Sequence, residues 1–238
     1  MTTAIIVQAR MGSTRLPGKV LLPLAGHTVL EEVLRRCSAI PGADVVVCAI
    51  PEDASDDALV EPAARAGAVV ARGSAGDVLQ RYRRAADQVG ADIVMRVTSD
   101  CPLIDPVLCG EVLALRAARG VDYAANNMPP GFPHGLDCEA FTAAALRRAD
   151  DAARDPYQRE HVTPWLRTHG SATRAALEGP GGEARDQRWT LDFPEDYAFL
   201  QAAFAALPGG TTSWRDALAA ILARPGIATI NAARRATR

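Results

Sequence analysis

The run IIVQARMGSTRLPGK, residues 5–19, couples an apolar stretch to a loop of small and basic residues. The apolar residues predict a buried strand, and the loop then places glycines and cations at the end of that strand. Of the 26 basic residues in the chain, all but one are arginine, and the exception, Lys19, closes this run. A lysine ammonium is a compact point charge, whereas an arginine guanidinium is a flat fork. The lone lysine therefore indicates a specific role in the loop, the alternative being chance survival in an arginine-rich sequence.

Outward from this run, short apolar stretches alternate with helical patterns through the first half of the chain. Strands are predicted at residues 4–8, 45–50, 68–71 and 92–97, with helices at 29–39, 56–66 and 77–89. This alternation predicts an α/β fold with a mainly parallel sheet and helices on both faces. Ligands bind at the carboxyl ends of the strands in such sheets. The loops after Gln8 and Val97 are therefore the expected site.

The second half of the chain is less regular. Residues 123–141 contain many prolines and glycines and predict a loop or an irregular β excursion over the sheet edge, a usual place for acceptor binding or subunit contact. Helices are predicted at residues 140–153, 159–168, 194–207 and 214–223, and a strand at 188–191 after a glycine-rich turn at 179–182. The length of 238 residues favours a single domain, residues 1–238.

Composition excludes several classes of protein. The formal net charge of -2 argues against a broad nucleic-acid surface, and the few aromatic residues are too dispersed to stack on single strands. No apolar run approaches the roughly 20 residues of a membrane span. The cysteines are odd in number and scattered, which argues against a disulfide framework or a zinc knuckle and favours the cytoplasm. They are Cys37, Cys48, Cys101, Cys109 and Cys138.

The loop after the first strand fits neither of two common nucleotide-binding motifs. A Walker A loop needs G-x-x-x-x-G-K followed by Ser or Thr, but five residues separate Gly12 from Gly18, and Val20 follows Lys19. The dinucleotide fingerprint G-x-G-x-x-G is also absent. With both motifs excluded, the loop still contains small and basic residues of the kind that binds a polyphosphate through backbone amides and cations, the alternative being a solvated loop. They are Arg10, Gly12, Ser13, Arg15 and Lys19.

Six segments together resemble the cytidylyltransferase family that activates acidic sugars such as KDO and sialic acid, and most of all its spore coat polysaccharide branch. The segments are QARMGSTRLPGKVL, ARGSAGDVLQRY, RVTSDCPLIDP, FPHGLDCEAF, YQREHVTPWL and RWTLDFPEDY. The resemblance implies a Rossmann-like, glycosyltransferase-A-type nucleotidyltransferase fold. It also implies transfer of CMP from CTP to a sugar hydroxyl with Mg²⁺, release of pyrophosphate, and a homodimer.

The same resemblance implies roles for individual residues. It places Arg10, Arg15 and Lys19 on the CTP phosphates, and Asp100 and Asp192 on the metal. The nucleotide site is completed by Ala9, Gly12, Ser13 and Ser99. Helix capping is the alternative for both metal positions: Ser99 or Asp100 is able to cap a turn before Pro102, and Asp192 precedes Pro194.

The resemblance also implies less specific assignments. Arg72 is expected to bind the nucleotide, the alternative being a structural ion pair with a residue such as Asp77. Asp137 and Glu139 are candidates for acceptor contacts, the alternative being a turn followed by a solvated strand. His134 and His161 are further candidates for substrate contact, although a buried histidine with satisfied hydrogen bonds is the commoner role.

Two other functions stay open. A glycosyltransferase of the same fold uses a D-x-D metal motif, and the acidic run at residues 53–57, DASDD, lacks that spacing. The second is a non-catalytic protein that binds sugar nucleotides on the same scaffold. No residue is identified as a general base.

Overall fold

The computed structural model describes residues 1–207 and 213–236. In this part of the chain, seven strands form one sheet and two short strands form a separate ribbon. The strands of the sheet are β1 (Thr3–Gln8), β4 (Val45–Pro51), β5 (Val69–Gly73), β6 (Ile93–Thr98), β7 (Tyr123–Ala125), β8 (Glu139–Thr142) and β9 (Arg174–Ala176). The ribbon pairs β2 (Pro23–Leu24) with β3 (His27–Thr28).

The sheet is mainly parallel, with the order β5-β4-β1-β6-β8-β7-β9. β1 pairs in parallel with β4 and β6, and β4 pairs in parallel with β5. β8 runs antiparallel to both of its neighbours, and β7 is parallel to β9. Parallel neighbours need long crossover connections, which helices supply. The predicted α/β fold is confirmed.

In the described part of the chain, the first seven α-helices lie between strands, and the last four follow β9. The α-helices are α1 (Val29–Ser38), α2 (Val60–Arg65), α3 (Val78–Gln88), α4 (Pro106–Arg119), α5 (Ala143–Ala152), α6 (Pro156–His161), α7 (Pro164–Thr168), α8 (Gly182–Arg185), α9 (Pro194–Ala206), α10 (Trp214–Leu222) and α11 (Pro225–Ala228), with 3-10 helices at Lys19–Leu21, Ala54–Leu59 and Ala232–Arg234. No helix within residues 1–207 and 213–236 has the length and apolar character needed to cross a membrane.

The alternation of side chains along β1 divides the core into two layers. Ile5 and Val7 pack with residues of α1 and α4 on one face. Ala4 and Ile6 pack with residues of α3 and α5 on the other. Successive strand residues point to opposite faces, so both faces of the sheet are buried and the strand reads as a continuous apolar run. A third apolar cluster joins α9 and α10 to the segment around Trp189.

Three local predictions were wrong. Residues 140–142 belong to β8, where they pair with β6, and the helix begins only at Ala143. The helix predicted at 159–168 is divided into α6 and α7, because Val162 has a φ of 70°. Residues 188–191 do not form a strand; Arg188 makes only an isolated bridge with His134. In addition, α4 lies in a segment for which the sequence predicted no helix.

The segment of residues 123–141 lies mostly inside the molecule. Its first three residues are β7 and its last three belong to β8, so both ends are strands of the central sheet. Pro129 and Pro130, between them, are exposed. Little of the segment is therefore available to a partner subunit. The predicted single domain of residues 1–238 also includes 208–212 and 237–238, which lie outside the described residues.

Candidate active site

A cleft of about 230 Å³ opens at the carboxyl ends of β1 and β6. Both strands end where the sequence predicted a site, because parallel neighbours in register terminate at the same edge. The cleft contains ten of the residues singled out from the sequence. These are Ala9, Arg10, Gly12, Ser13, Arg15, Lys19, Ser99, Asp100, His161 and Asp192.

The loop after β1 is held open by hydrogen bonds to its backbone. The Met11 amide donates to Asp56 Oδ1 at 2.6 Å, and the amides of Ser13 and Gly18 donate to the Met11 carbonyl. Gly18 has a φ of 67°, a left-handed conformation that glycine adopts without steric cost. Asp56 is 4% exposed and supports this loop. The acidic run at 53–57 therefore has a structural partner in the cleft loop.

Lys19 joins the two predicted metal-binding aspartates. Its Nζ lies 2.9 Å from Asp100 Oδ2 and 2.9 Å from Asp192 Oδ1, and it donates to the Leu191 carbonyl at 2.6 Å. All three donor positions of the ammonium are therefore used. A planar guanidinium lacks this arrangement of three donors around one atom, which gives a physical reason for a lysine at this position.

A direct backbone contact brings the two aspartates together. Asp100 follows β6, but Asp192 lies in a loop and not at the end of a strand. The Leu191 amide donates to the Asp100 carbonyl at 2.8 Å, so the two segments are hydrogen-bonded at the aspartates themselves. Arg15 and Arg188 each contact Asp192 at 3.0 Å.

The charges of these groups stabilise one another. Burial alone would raise the pKa of Asp100, but the charge of Lys19 and hydrogen bonds from Thr98 and Lys19 lower that pKa to about 2. Burial would lower the pKa of Lys19, and the two aspartates reverse this effect and raise it. Lys19 and Asp100 are therefore both ionised near neutral pH.

Other side chains cap the neighbouring helices. Asp105 accepts hydrogen bonds from the amides of Val107 and Leu108 at the start of α4. Asp196 accepts from the amides of Asp192 and Phe193 at the start of α9. The caps needed at both helices are thus supplied without the side chains of Asp100 and Asp192, which point to Lys19.

The two carboxylates have the chemistry of a site for a hard divalent cation. An oxygen of each lies within hydrogen-bonding distance of the same ammonium nitrogen, so both converge on one small volume. No group of three His, Cys, Asp or Glu residues suited to a metal occurs in the described residues. Mg²⁺ commonly takes one or two carboxylates and completes its octahedron with water and phosphate oxygens. The donors present fit that pattern.

Two cations in the cleft have no carboxylate partner among residues 1–207 and 213–236. Arg10 is exposed and makes no hydrogen bond there. Arg81 lines the same cleft and is 2% exposed, with one hydrogen bond from Nη1 to the Ser74 carbonyl. Arg81 was not predicted from the sequence, although it lies in the segment ARGSAGDVLQRY. The available signal was an arginine in the first turns of α3, beside the predicted site.

Arg72 and Glu139 lie outside the cleft. Arg72 forms an ion pair with Asp57 at 2.6 Å, and not with Asp77. Glu139 is 1% exposed and accepts hydrogen bonds from Arg96 at 2.6 Å and from Arg167 at 2.5 Å. The hydroxyls of Tyr123 and Thr163 also donate to Glu139. Its carboxylate has no free face for an acceptor, so this placement argues for a structural role. The alternative of a solvated strand also fails, because β8 is buried.

The other candidate substrate residues are divided between the cleft and its surroundings. His161 is exposed on the cleft wall, with its ring 4.4 Å from that of Tyr157, so it is not a buried histidine. His134 lies beside Arg188, with 3.4 Å between Nδ1 and Nη1, and does not line the cleft. Asp137 accepts a hydrogen bond from the Gly135 amide within its own turn.

Comparison with known proteins gives a consistent result. A family model described as cytidylyltransferase matches residues 4–202. The spore coat polysaccharide biosynthesis protein SpsF of Bacillus subtilis is 35% identical over 207 residues, which are 84% of this chain and 85% of that protein. The structure of a cytidylyltransferase from Leptospira borgpetersenii superposes with a TM-score of 0.89 at 34% identity, covering 96% of this chain and 97% of that one. A 3-deoxy-manno-octulosonate cytidylyltransferase of Maricaulis maris is 38% identical over 138 residues, 55% of this chain and 51% of that protein.

Proposed function

The chain belongs to the cytidylyltransferase family, and from that premise we propose that it transfers CMP from CTP to a hydroxyl of a sugar acid in a Mg²⁺-dependent reaction. The single observation that supports this best is the convergence of Lys19, Asp100 and Asp192 in the cleft after β1. It combines a cation for phosphate with two carboxylates for a metal. A protein that only binds sugar nucleotides has no need of the carboxylate pair.

The reaction needs positioning and neutralisation of charge more than covalent chemistry. An acceptor oxygen attacks the α-phosphorus in line and its proton passes to water. The new phosphorus–oxygen bond forms, and the bond to the bridging oxygen breaks, so that pyrophosphate leaves with the bonding electron pair. Arg10, Arg15 and Lys19 stand on the loop where the leaving pyrophosphate would lie, and they neutralise its growing charge. Lys19 and Arg15 contact carboxylates in the structure, so they exchange these partners for phosphate oxygens when the nucleotide binds.

Asp100 and Asp192 would hold the magnesium ion. When bound, the ion supplies charge for the phosphate oxygens and acidifies the acceptor hydroxyl. The two carboxylates contribute a pair of oxygen ligands, and the Leu191–Asp100 backbone hydrogen bond holds their segments together. Arg188 holds the second oxygen of Asp192 and orients that carboxylate.

Release of pyrophosphate tests this function. Purified protein is incubated with each of CTP, UTP, ATP and GTP, with Mg²⁺ or with EDTA, and with a panel of sugar acids. We expect turnover with CTP that depends on both Mg²⁺ and a sugar acid. Turnover with another nucleotide would contradict the cytidylyl assignment alone. Binding of nucleotides without turnover on any acceptor in the panel would favour the non-catalytic alternative.

We also propose a cytoplasmic homodimer. All five cysteines are free and buried, as expected of a protein in a reducing compartment. Light scattering coupled to size exclusion measures the oligomeric state, and a monomeric mass would contradict the dimer.

A further inference from the structure

The wall of the cleft contains two buried polar atoms without a hydrogen-bond partner, Gln8 Oε1 and Arg81 Nε. The other such atoms in the described part of the chain belong to residues that do not line the cleft. Proteins pair the great majority of their buried polar atoms, so each exception needs an explanation. An acceptor and a donor left unpaired on the wall of one cleft indicate a ligand that supplies the opposite groups.

Gln8 lies on the α3 side of the sheet. Ala4 and Ile6 of the same strand pack in the cluster that includes Leu79 and Tyr82 of α3. Side chains on a strand alternate with a period of two, so Gln8 faces the same helix. It is the last residue of β1, which places its amide above the first turns of α3, where Arg81 is found.

Arg81 is fixed before any ligand arrives. Its Nη1 donates to the Ser74 carbonyl at 3.0 Å, which sets the plane of the guanidinium. A Cβ added to Gly73 would lie 3.0 Å from both Cβ and Cγ of Arg81, so β5 packs tightly on the aliphatic part of the side chain. No carboxylate in the described residues forms an ion pair with it. Burial, together with the like charge of Arg10, lowers the pKa of Arg81, and the opposite charge of Asp56 does not reverse this effect.

The free edge of this guanidinium is a pair of adjacent donors, Nε and Nη2. Together with Gln8 Oε1, the wall offers two donors and one acceptor. The complementary ligand edge has two adjacent acceptors and one donor. Cytosine has that edge, with O2 and N3 as acceptors and the N4 amino group as donor. Uracil has a donor at N3, guanine has donors at N1 and N2 beside its O6, and adenine has a single acceptor between a C–H group and its amino group.

We propose that Gln8 and Arg81 are the residues that recognise the nucleobase, with Arg81 donating to N3 and O2 of cytosine and Gln8 accepting from the N4 amino group. This inference rests on the proposed transfer from CTP. Arg81 is the discriminating member, because a guanidinium has donors only, whereas a glutamine amide is able to turn and present its nitrogen. Uracil would therefore place its N3–H against an N–H of Arg81.

Nucleotide binding without an acceptor tests the proposal, since no turnover is needed. Calorimetry gives the dissociation constants for CTP, UTP and ATP with the wild type, with Arg81→Met, and with Arg10→Met as the matched control on the phosphate loop. Arg81→Met is expected to lower the ratio of CTP to UTP affinity by roughly tenfold to a hundredfold, the discrimination typical of a two-donor contact to a base. Arg10→Met is expected to weaken both nucleotides by the same factor and leave the ratio unchanged.

The outcomes separate the proposal from the function on which it rests. An unchanged ratio in Arg81→Met, or an equal loss for CTP and UTP, would overturn the base-reading role and leave cytidylyl transfer intact. A wild type that binds UTP as tightly as CTP would overturn both. Thermal unfolding checks that each variant is folded. If Arg81→Met fails to fold, Arg81→Gln provides the same test at the same position, because a glutamine amide is able to present either a donor or an acceptor to the base; a fall in the ratio would support the proposal and no change would overturn it.

Discussion

Replacing Glu139 by glutamine distinguishes a structural role from contact with the acceptor. The carboxylate is buried against Arg96 and Arg167. Burial would raise its pKa, but the charges of these two arginines outweigh that effect and lower the pKa from 4.5 to about 2. This difference corresponds to about 3 kcal/mol, since each pKa unit is worth about 1.4 kcal/mol. Glu139→Gln is thus expected to lose about 3 kcal/mol of unfolding free energy at pH 7, or roughly 6–12 °C in Tm.

The dependence on pH identifies the charge as the cause. A carboxylate whose pKa is lowered by folding stabilises the native state above its unfolded pKa, and this stabilisation is lost as the pH falls through the folded pKa. The contribution of Glu139 is therefore complete above about pH 5.5 and falls to roughly half by pH 3. Urea unfolding of the wild type and Glu139→Gln at pH 7 and pH 3 measures both values.

A matched control is Glu61→Gln. Glu61 forms an exposed ion pair with Arg65, its side chain being 83% exposed, and such pairs contribute little. Its replacement is expected to change the unfolding free energy by less than about 0.5 kcal/mol at either pH. A structural role for the charge of Glu139 is refuted if Glu139→Gln is as stable as the wild type but has a raised KM for the acceptor. It is also refuted if the loss of stability is the same at both pH values.

Three further predictions concern the cleft. Lys19→Arg keeps the charge but loses the three-donor contact, so kcat/KM is expected to fall by at least about a hundredfold in steady-state kinetics. Near-normal turnover would contradict a role for Lys19 in binding the phosphates. Asp100→Asn and Asp192→Asn are each expected to lower Mg²⁺-dependent turnover by orders of magnitude. The double variant is expected to lose little more turnover than the worse single variant, because residues that serve one ion act as a unit. Additive losses of turnover would contradict a shared ion. Asp105→Ala removes the cap of α4 and also the hydrogen bond that Asp105 accepts from the buried Trp214 amide, so it is expected to cost about 2–4 kcal/mol in thermal unfolding with turnover unchanged. A loss of activity in the folded variant would argue against a purely structural role.

Local signals in the sequence were sufficient for the first half of the fold. The apolar run of β1 and the loop after it predict a strand and its ligand-binding end, and the structure has both. α4 was missed although its sequence has boundary signals, with Asp105 and Pro106 at its start and Gly120 at its end. Within the helix, the residue that departs from a helical pattern is Gly110. A Cβ on that residue would lie 3.1 Å from Pro41, so the glycine allows close approach of another segment, which no local pattern reveals.

Site residues were predictable from the sequence where the side-chain type alone indicates the role, and less predictable where the role depends on packing. Lys19 stands out by type, as the only lysine, and Asp100 by its position just after β6. The roles of Arg81 and Glu139 depend on which segments bury them, and sequence periodicity does not give that information. The strand predicted at residues 188–191 was wrong for the same reason, because its formation depends on distant packing. This segment is joined to Asp100, after β6, by the hydrogen bond from the Leu191 amide, but it does not become a strand of the sheet.

The contacts of Lys19 also determine when the cleft becomes complete during synthesis. Its ammonium bonds to residues 81, 172 and 173 positions further along the chain. A ribosome adds about 5–20 residues each second, so the loop after β1 leaves the exit tunnel roughly ten seconds or more before Asp192. During that interval the nascent chain has the cations of this loop but at most one of the two carboxylates. The assembled cleft is therefore a marker of finished folding: any fragment that ends before Asp192 lacks the carboxylate pair, however well its sheet has formed.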